Sequence, residues 1–289
     1  MTTRSLFQTD SGALRAPWRI ALFLTATIIA VVVVQAVFAP LLVGAAWFLT
    51  RSRLTVYFTG MAVALLLAHV VAMRLDGSGD DWNSIGLGRA ASRPVVLAHG
   101  FLIGMLAIGL PMAVLLAVGW LRPERSQPGN AFVAAVRLLV LLAPAALWEE
   151  LLVRGYAFSV IRDASGAPAA VLVTSLAFGF LHLQNAGANL QTVGQVVFAG
   201  VWLAGVLLAT GSLYAAWMAH LAWNWTMAAV FHAPVSGLDF ALPVWRLVDA
   251  GPDWATGGAW GPEGGLAATV GMALTLTYLM SRRRRREES

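Results

Sequence analysis

Two adjacent glutamates, an arginine, two histidines and an asparagine stand where a chain this apolar has little reason to keep polar groups. Glu149, Glu150 and Arg154 are the only charged residues between Leu138 and Ile161. Charge at the centre of a bilayer costs about 2.5–3.5 kcal/mol per group even on the lenient insertion scale, so something must hold these groups there. Glu150 and Arg154 are spaced i,i+4 with the acid first, the favourable order for a helical ion pair. Glu149 lies about 100° further round the same helix, which leaves its carboxylate for another partner. The bland alternative is that all three charges cap the span and snorkel to the interface.

Downstream, Phe178 and His182 share a helical face, as do His220 and Asn224. Singly, either histidine reads as an interhelical hydrogen-bonding residue. Together, a carboxylate, two imidazoles and an amide on three apolar helices satisfy one another only by converging. Such a cluster activates water. Glu149 takes its proton, a histidine orients it or shares the proton, and His220 with Asn224 stabilises an oxyanion. No Ser or Thr stands among these motifs as a covalent nucleophile, and cysteine is absent. Glu149, His182 and His220 also match a His₂Glu zinc shell with its fourth position open to water. Metal-free and zinc-assisted hydrolysis both stay open.

The elements that must position these groups are membrane helices. Of 289 residues, 59% are hydrophobic and 11% charged, against roughly 25% charged in a soluble domain. The expected fold class is all-α and polytopic, with about eight transmembrane helices. Spans are expected at Ile20–Thr50 (ended or kinked by Pro40), 54–73, 95–121, 131–161, 169–183, 193–209, 213–231 and 264–280. The first begins near Trp18 and reads as a retained span, not a cleaved signal. No Asp, Glu, Lys or Arg occurs between Asp163 and Asp239. Residues 1–129 form an N-terminal unit of three spans with a polar loop at 76–94, and residues 130–232 a four-span core. The rest, 233–289, reads as an extramembrane loop, a last span and a basic tail. Every basic residue is an arginine, five of them in the run 282–286. That run explains the high pI as a membrane anchor rather than a nucleic-acid surface. With both termini cytoplasmic, thirteen arginines fall inside and six outside, and the run supplies most of that bias.

E-E-x-x-x-R at Glu149–Arg154, F-x-x-x-H at Phe178–His182 and H-x-x-x-N at His220–Asn224 follow one another on successive helices. In this order they resemble the CPBP family: type II CAAX prenyl proteases, bacteriocin-immunity and -processing proteins, and lysostaphin-resistance-protein-A-like proteins. The resemblance covers about residues 130–232. It implies an eight-helix intramembrane endopeptidase, called a metalloprotease although a metal-free glutamate mechanism has also been argued. It further implies catalytic roles for Glu149, Glu150, Arg154, His182, His220 and Asn224, with Zn²⁺ on Glu149, His182 and His220 if a metal is bound. The expected partners are the bilayer and a membrane protein or peptide substrate, in a bacterial plasma membrane.

Other signatures fall away. H-E-x-x-H and G-x-S-G are absent, and the G-x-G-D at Gly77–Asp80 lies in the polar loop without a second aspartate inside a span. The Asn224–Thr226 sequon is inside a span and unreachable. Three rivals stay open: an immunity protein that only binds, a proton-coupled transporter using Glu149 and the histidines, and a haem protein using His182 and His220. His69, His99 and His232 read as interfacial hydrogen-bonding residues. The tryptophans read mostly as interface anchors, with Trp217, Trp223 and Trp225 packing around the third motif.

Overall fold

The computed structural model describes residues 6–38 and 52–287. Pro40, Arg4 and Arg51 lie outside them. The fold is all-α and polytopic. Helix α1 (Ala16–Val33) runs on through a π-turn to Phe38. It is followed by α2 (Arg53–Leu75) and α3 (Pro94–Ala117). The core holds α4 (Ala131–Arg154), α5 (Tyr156–Ser165), α6 (Ala167–Leu181), α7 (Leu190–Thr210) and α8 (Leu213–Trp225), the last extended by a π-turn to Val230. A single turn, α9 (Asp253–Thr256), precedes α10 (Leu266–Glu287). Among the described residues five helices are long and apolar enough to cross a membrane: α1, α2, α3, α4 with α5, and α7. The apolar α6 is shorter.

Large apolar side chains such as Ile28, Val95 and Phe132 face outward, as a lipid-solvated surface requires, while alanines and glycines crowd the interior. Helix α8 lies at the centre, packed on α3, α4 and α7. Its contact with α3 is backbone to backbone. A Cβ added at Gly104 would run into the Ala219 carbonyl, and one at Gly100 into Ala215. That approach fixes the rotation of α8 at the residue before His220.

Two expectations need correction. The span 131–161 is not one helix: it breaks at Gly155, whose φ and ψ are −79° and −127°. A Cβ there would strike His69 Nε2 and the Leu151 carbonyl. The break frees the Tyr156 N–H, which donates to His69 Nε2 at 3.1 Å, while His69 Nδ1–H donates to Leu65 O at 2.7 Å. His69 is therefore a fully buried splint, not an interfacial residue. Secondly, the third helix stops at Ala117, and Leu121–Arg125 forms β1, paired antiparallel with β2 (Trp245–Asp249). The segment 233–265, expected as an extramembrane loop, packs on the bundle through Trp260, buried beside Val153 and Phe178.

At one end of α1 and α2 a polar knot ties the N-terminal helices to the break. Asp76 accepts from Arg19 Nε (2.9 Å), from Ser78 N–H and Oγ–H (both 2.9 Å) and from the Tyr156 hydroxyl. Arg19 also pairs with Asp80. The G-x-G-D of the polar loop is thus the turn that wraps an arginine.

Two outcomes follow. Gly104→Val should destabilise the fold by about 1–3 kcal/mol through overpacking. Gly194→Ala, where a Cβ meets nothing within 4 Å, should be neutral or stabilising by up to about 1 kcal/mol; thermal unfolding in micelles compares them. Burial opposes the charge of Asp76, yet its donors from Tyr156, Ser78 and Arg19 prevail and hold its carboxyl below the usual range. A depressed folded-state pKa gives stability that is complete above the unfolded value, roughly 3.9, and lost as pH falls through the folded one. Acid unfolding below about pH 4 should therefore be shallower in Asp76→Asn than in the native chain.

Candidate active site

Helix α4 delivers Glu149, Glu150 and Arg154. The i,i+4 pair forms as its spacing dictates: Arg154 Nη1 donates to Glu150 Oε1 at 3.1 Å, and both side chains are shut off from solvent. This excludes the snorkelling alternative. Arg154 gives a second donor, Nη2, to the Gly200 carbonyl of α7 at 3.2 Å, and its guanidinium lies 4.2 Å over the Phe178 ring.

Helix α8 presents His220 to α4 because two indoles on its flanks anchor it there. Trp217 Nε1 donates to Ala143 O at 2.8 Å and Trp225 Nε1 to Ala135 O at 3.0 Å. Trp217, His220 and Asn224 fall on one stripe of the helix. His220 Nδ1 lies 2.8 Å from the same Glu150 Oε1 that Arg154 uses. A carboxylate can only accept, so Nδ1 carries the proton and Nε2 is turned outward. There it lies 3.8 Å from Glu149 Oε2, too far for a direct hydrogen bond. Glu149 keeps 19% of its side chain exposed.

His182 is the C-cap of α6, at the end of its helix rather than within it. Its Nδ1–H donates to Phe178 O at 2.8 Å, which also leaves Nε2 as the outward nitrogen. The Phe178 ring meets His182 edge-on at 4.8 Å and His220 at 5.9 Å. The phenyl ring therefore links Arg154 to both imidazoles.

Glu149, His182, His220 and Asn224 line one cavity of about 220 Å³, whose other walls include Phe58, Leu141, Leu142 and Phe240. All six expected site residues are brought together: four on the cavity, and Glu150 and Arg154 behind it. No group of three His, Asp or Glu side chains lies in metal-holding geometry among the described residues. Glu149 with His182 and His220 does not fit a zinc shell as these side chains stand.

The sequence reading missed the cover. Glu263 returns to the site and accepts from Ser236 N–H and Oγ–H at 2.6 Å each and from Trp223 Nε1 at 2.9 Å. Ser236 O in turn accepts from Asn185 Nδ2 at 3.1 Å. Ser236, held at φ 49°, and Glu263 line a small cavity of about 30 Å³ with His182, His220 and Asn224. Nothing in the sequence couples positions 236 and 263.

An integral membrane protein of all-α fold, with glutamates, histidines and an amide gathered at a cavity, is the class that fold and site define. Residues 131–226, from the first residue of α4 to the end of α8, match the family described as Type II CAAX prenyl endopeptidase Rce1-like. That match bears out the CPBP resemblance over the core. No curated protein and no solved structure matches the chain.

Glu150→Gln strips the counter-charge from a buried guanidinium and should cost about 3–5 kcal/mol. Glu149→Gln, at a carboxylate open to the cavity, should stay within about 1 kcal/mol of the native chain. Thermal unfolding of the two proteins in the same detergent makes the comparison.

Proposed function

We propose that the protein is an intramembrane endopeptidase that hydrolyses a peptide bond with water activated by Glu149. The observation that carries this reading is the 3.8 Å separation of Glu149 Oε2 and His220 Nε2 at the wall of the shared cavity. One water can bridge that gap, donating one proton toward the Glu149 carboxylate and the other to the Nε2 lone pair of His220. Glu149 removes a proton as the water oxygen adds to the scissile carbonyl carbon. The Asn224 amide donates to the oxyanion, and His182 Nε2 steers the water. When the tetrahedral intermediate collapses, the C–N bond breaks and the proton held by Glu149 passes to the departing amide nitrogen, releasing an amine and a carboxylic acid that then ionises to solvent. Glu150 and Arg154 act through His220: the shared oxygen fixes its ring and its tautomer.

No step requires a metal, in keeping with a donor set that does not gather three ligands. The substrate class is an extended, apolar segment of a membrane-associated protein or peptide, for which Phe58, Leu142 and Phe240 supply the walls. A prenylated C-terminus, the target named in the family's description, is one such segment. We further assign the chain to a bacterial plasma membrane with both termini cytoplasmic, on the strength of the arginine run.

The decisive measurement is cleavage of apolar peptides, with and without a prenyl group, by the protein in micelles. Glu149→Gln should lower turnover about 10²–10⁴-fold while unfolding at the native temperature. A Glu149→Gln variant as active as the native chain would sink the reading. Metal analysis of the active protein should find no stoichiometric zinc, and full activity should survive a chelator.

A further inference from the structure

A second cavity lies away from the catalytic cluster, where α3, α7 and α10 meet. It has a volume of about 240 Å³ and is lined by Arg93, His99, Thr210, Arg282 and Arg283 together with apolar residues; among the described residues no carboxylate lines it. The arginines come from distant parts of the chain: Arg93 precedes α3, while Arg282 and Arg283 end the last helix.

Each guanidinium is tethered by part of its donor set. Arg93 Nε donates to Ala90 O at 3.3 Å, Arg282 Nη1 to the Tyr278 hydroxyl at 3.2 Å and Arg283 Nη1 to Leu208 O at 3.4 Å. An arginine carries five N–H donors in a planar fork suited to phosphate oxygens. For Arg93 and Arg282 the tether orients the guanidinium at the cavity wall.

The cavity also continues into lipid. An apolar groove of about 320 Å³ begins beside it, walled by Val171, Val201, Leu208, Leu276 and Met280 and ending at Arg283 and Arg284. Ala209 and Arg283 belong to both spaces, so a basic pocket opens directly onto a hydrocarbon slot. A soluble phosphate would have no use for the slot, and a neutral lipid none for the arginines. Basic pockets between membrane helices suit anionic headgroups on general electrostatic grounds.

We propose that this is a binding site for one anionic phospholipid, its phosphate held between Arg93 and Arg282–Arg283 and one acyl chain lying along α7 and α10. The site is separate from the peptide-hydrolysing cavity and does not rest on its chemistry. Native mass spectrometry of the full-length protein, delipidated and then offered phosphatidylglycerol or phosphatidylcholine of the same chains, reads the occupancy. The native chain should retain phosphatidylglycerol at least tenfold over phosphatidylcholine, and phosphatidylglycerol should raise its unfolding temperature where inorganic phosphate does not. Arg93→Gln with Arg282→Gln should lose at least tenfold of that retention, and Arg246→Gln, in an exposed ion pair with Glu124, should lose none. If the double variant fails to fold, Val201→Trp, which fills the slot and leaves every arginine in place, should abolish retention. Equal retention of the two lipids, equal stabilisation by inorganic phosphate, or retention unchanged by filling the slot would each overturn the proposal.

Discussion

One carboxylate oxygen, Glu150 Oε1, accepts from both Arg154 and His220, and the site depends on that sharing. A charged pair without solvent contact is costly unless its geometry and hydrogen bonds are nearly complete. Here the requirement selects which faces of α4 and α8 can meet, because any other rotation strands a glutamate or a guanidinium among alanines. Arg154 carries the constraint outward to the Gly200 carbonyl and the face of Phe178. The pair stabilises little by itself and specifies a great deal. Glu149, one residue away, faces the cavity because the helix turns it about 100° from Glu150.

The interior holds a second polar assembly, built from Arg19, Asp76, Asp80 and Tyr156. Only Gly155 separates the two in sequence: Arg154 belongs to one and Tyr156 to the other. The break therefore serves as a junction, turning the chain so that consecutive residues reach different clusters. His69 makes the turn tolerable by taking the N–H that helix geometry no longer satisfies.

Much of the site was legible because charge is so costly in an apolar chain that each exception carries information. Glu149, Glu150, Arg154, His182, His220 and Asn224 were found by that logic, and they do face one another. What escaped was whatever lacked a local signal. A lone glycine in a helical pattern reads as tolerated, so the break at Gly155 was invisible, and with it the role of His69. The strand pair joins Leu121–Arg125 to Trp245–Asp249, segments with weak alternation whose partnership only the folded bundle creates. Glu263 lay in a Gly- and Pro-rich stretch where an acid reads as solvated. The zinc expectation rested on donor types alone; each imidazole gives Nδ1 to a neighbour and keeps Nε2 as its other nitrogen. The helices at 53–75, 167–181, 190–210 and 213–230 begin and end within a few residues of the expected spans, while β1 cut the third short and Gly155 divided the fourth.

The cover formed by Ser236 and Glu263 has a temporal side. Chains fold from the N-terminus as they are made, and the three motifs are complete once Asn224 has emerged. Glu263 follows later and is joined directly to the last helix, which packs back on α3 and α7. The polar cluster is therefore assembled before its plug exists, and closing it is among the last acts of insertion. The contacts of Glu263 with Ser236 and Trp223 therefore wait on the segment that leads into α10.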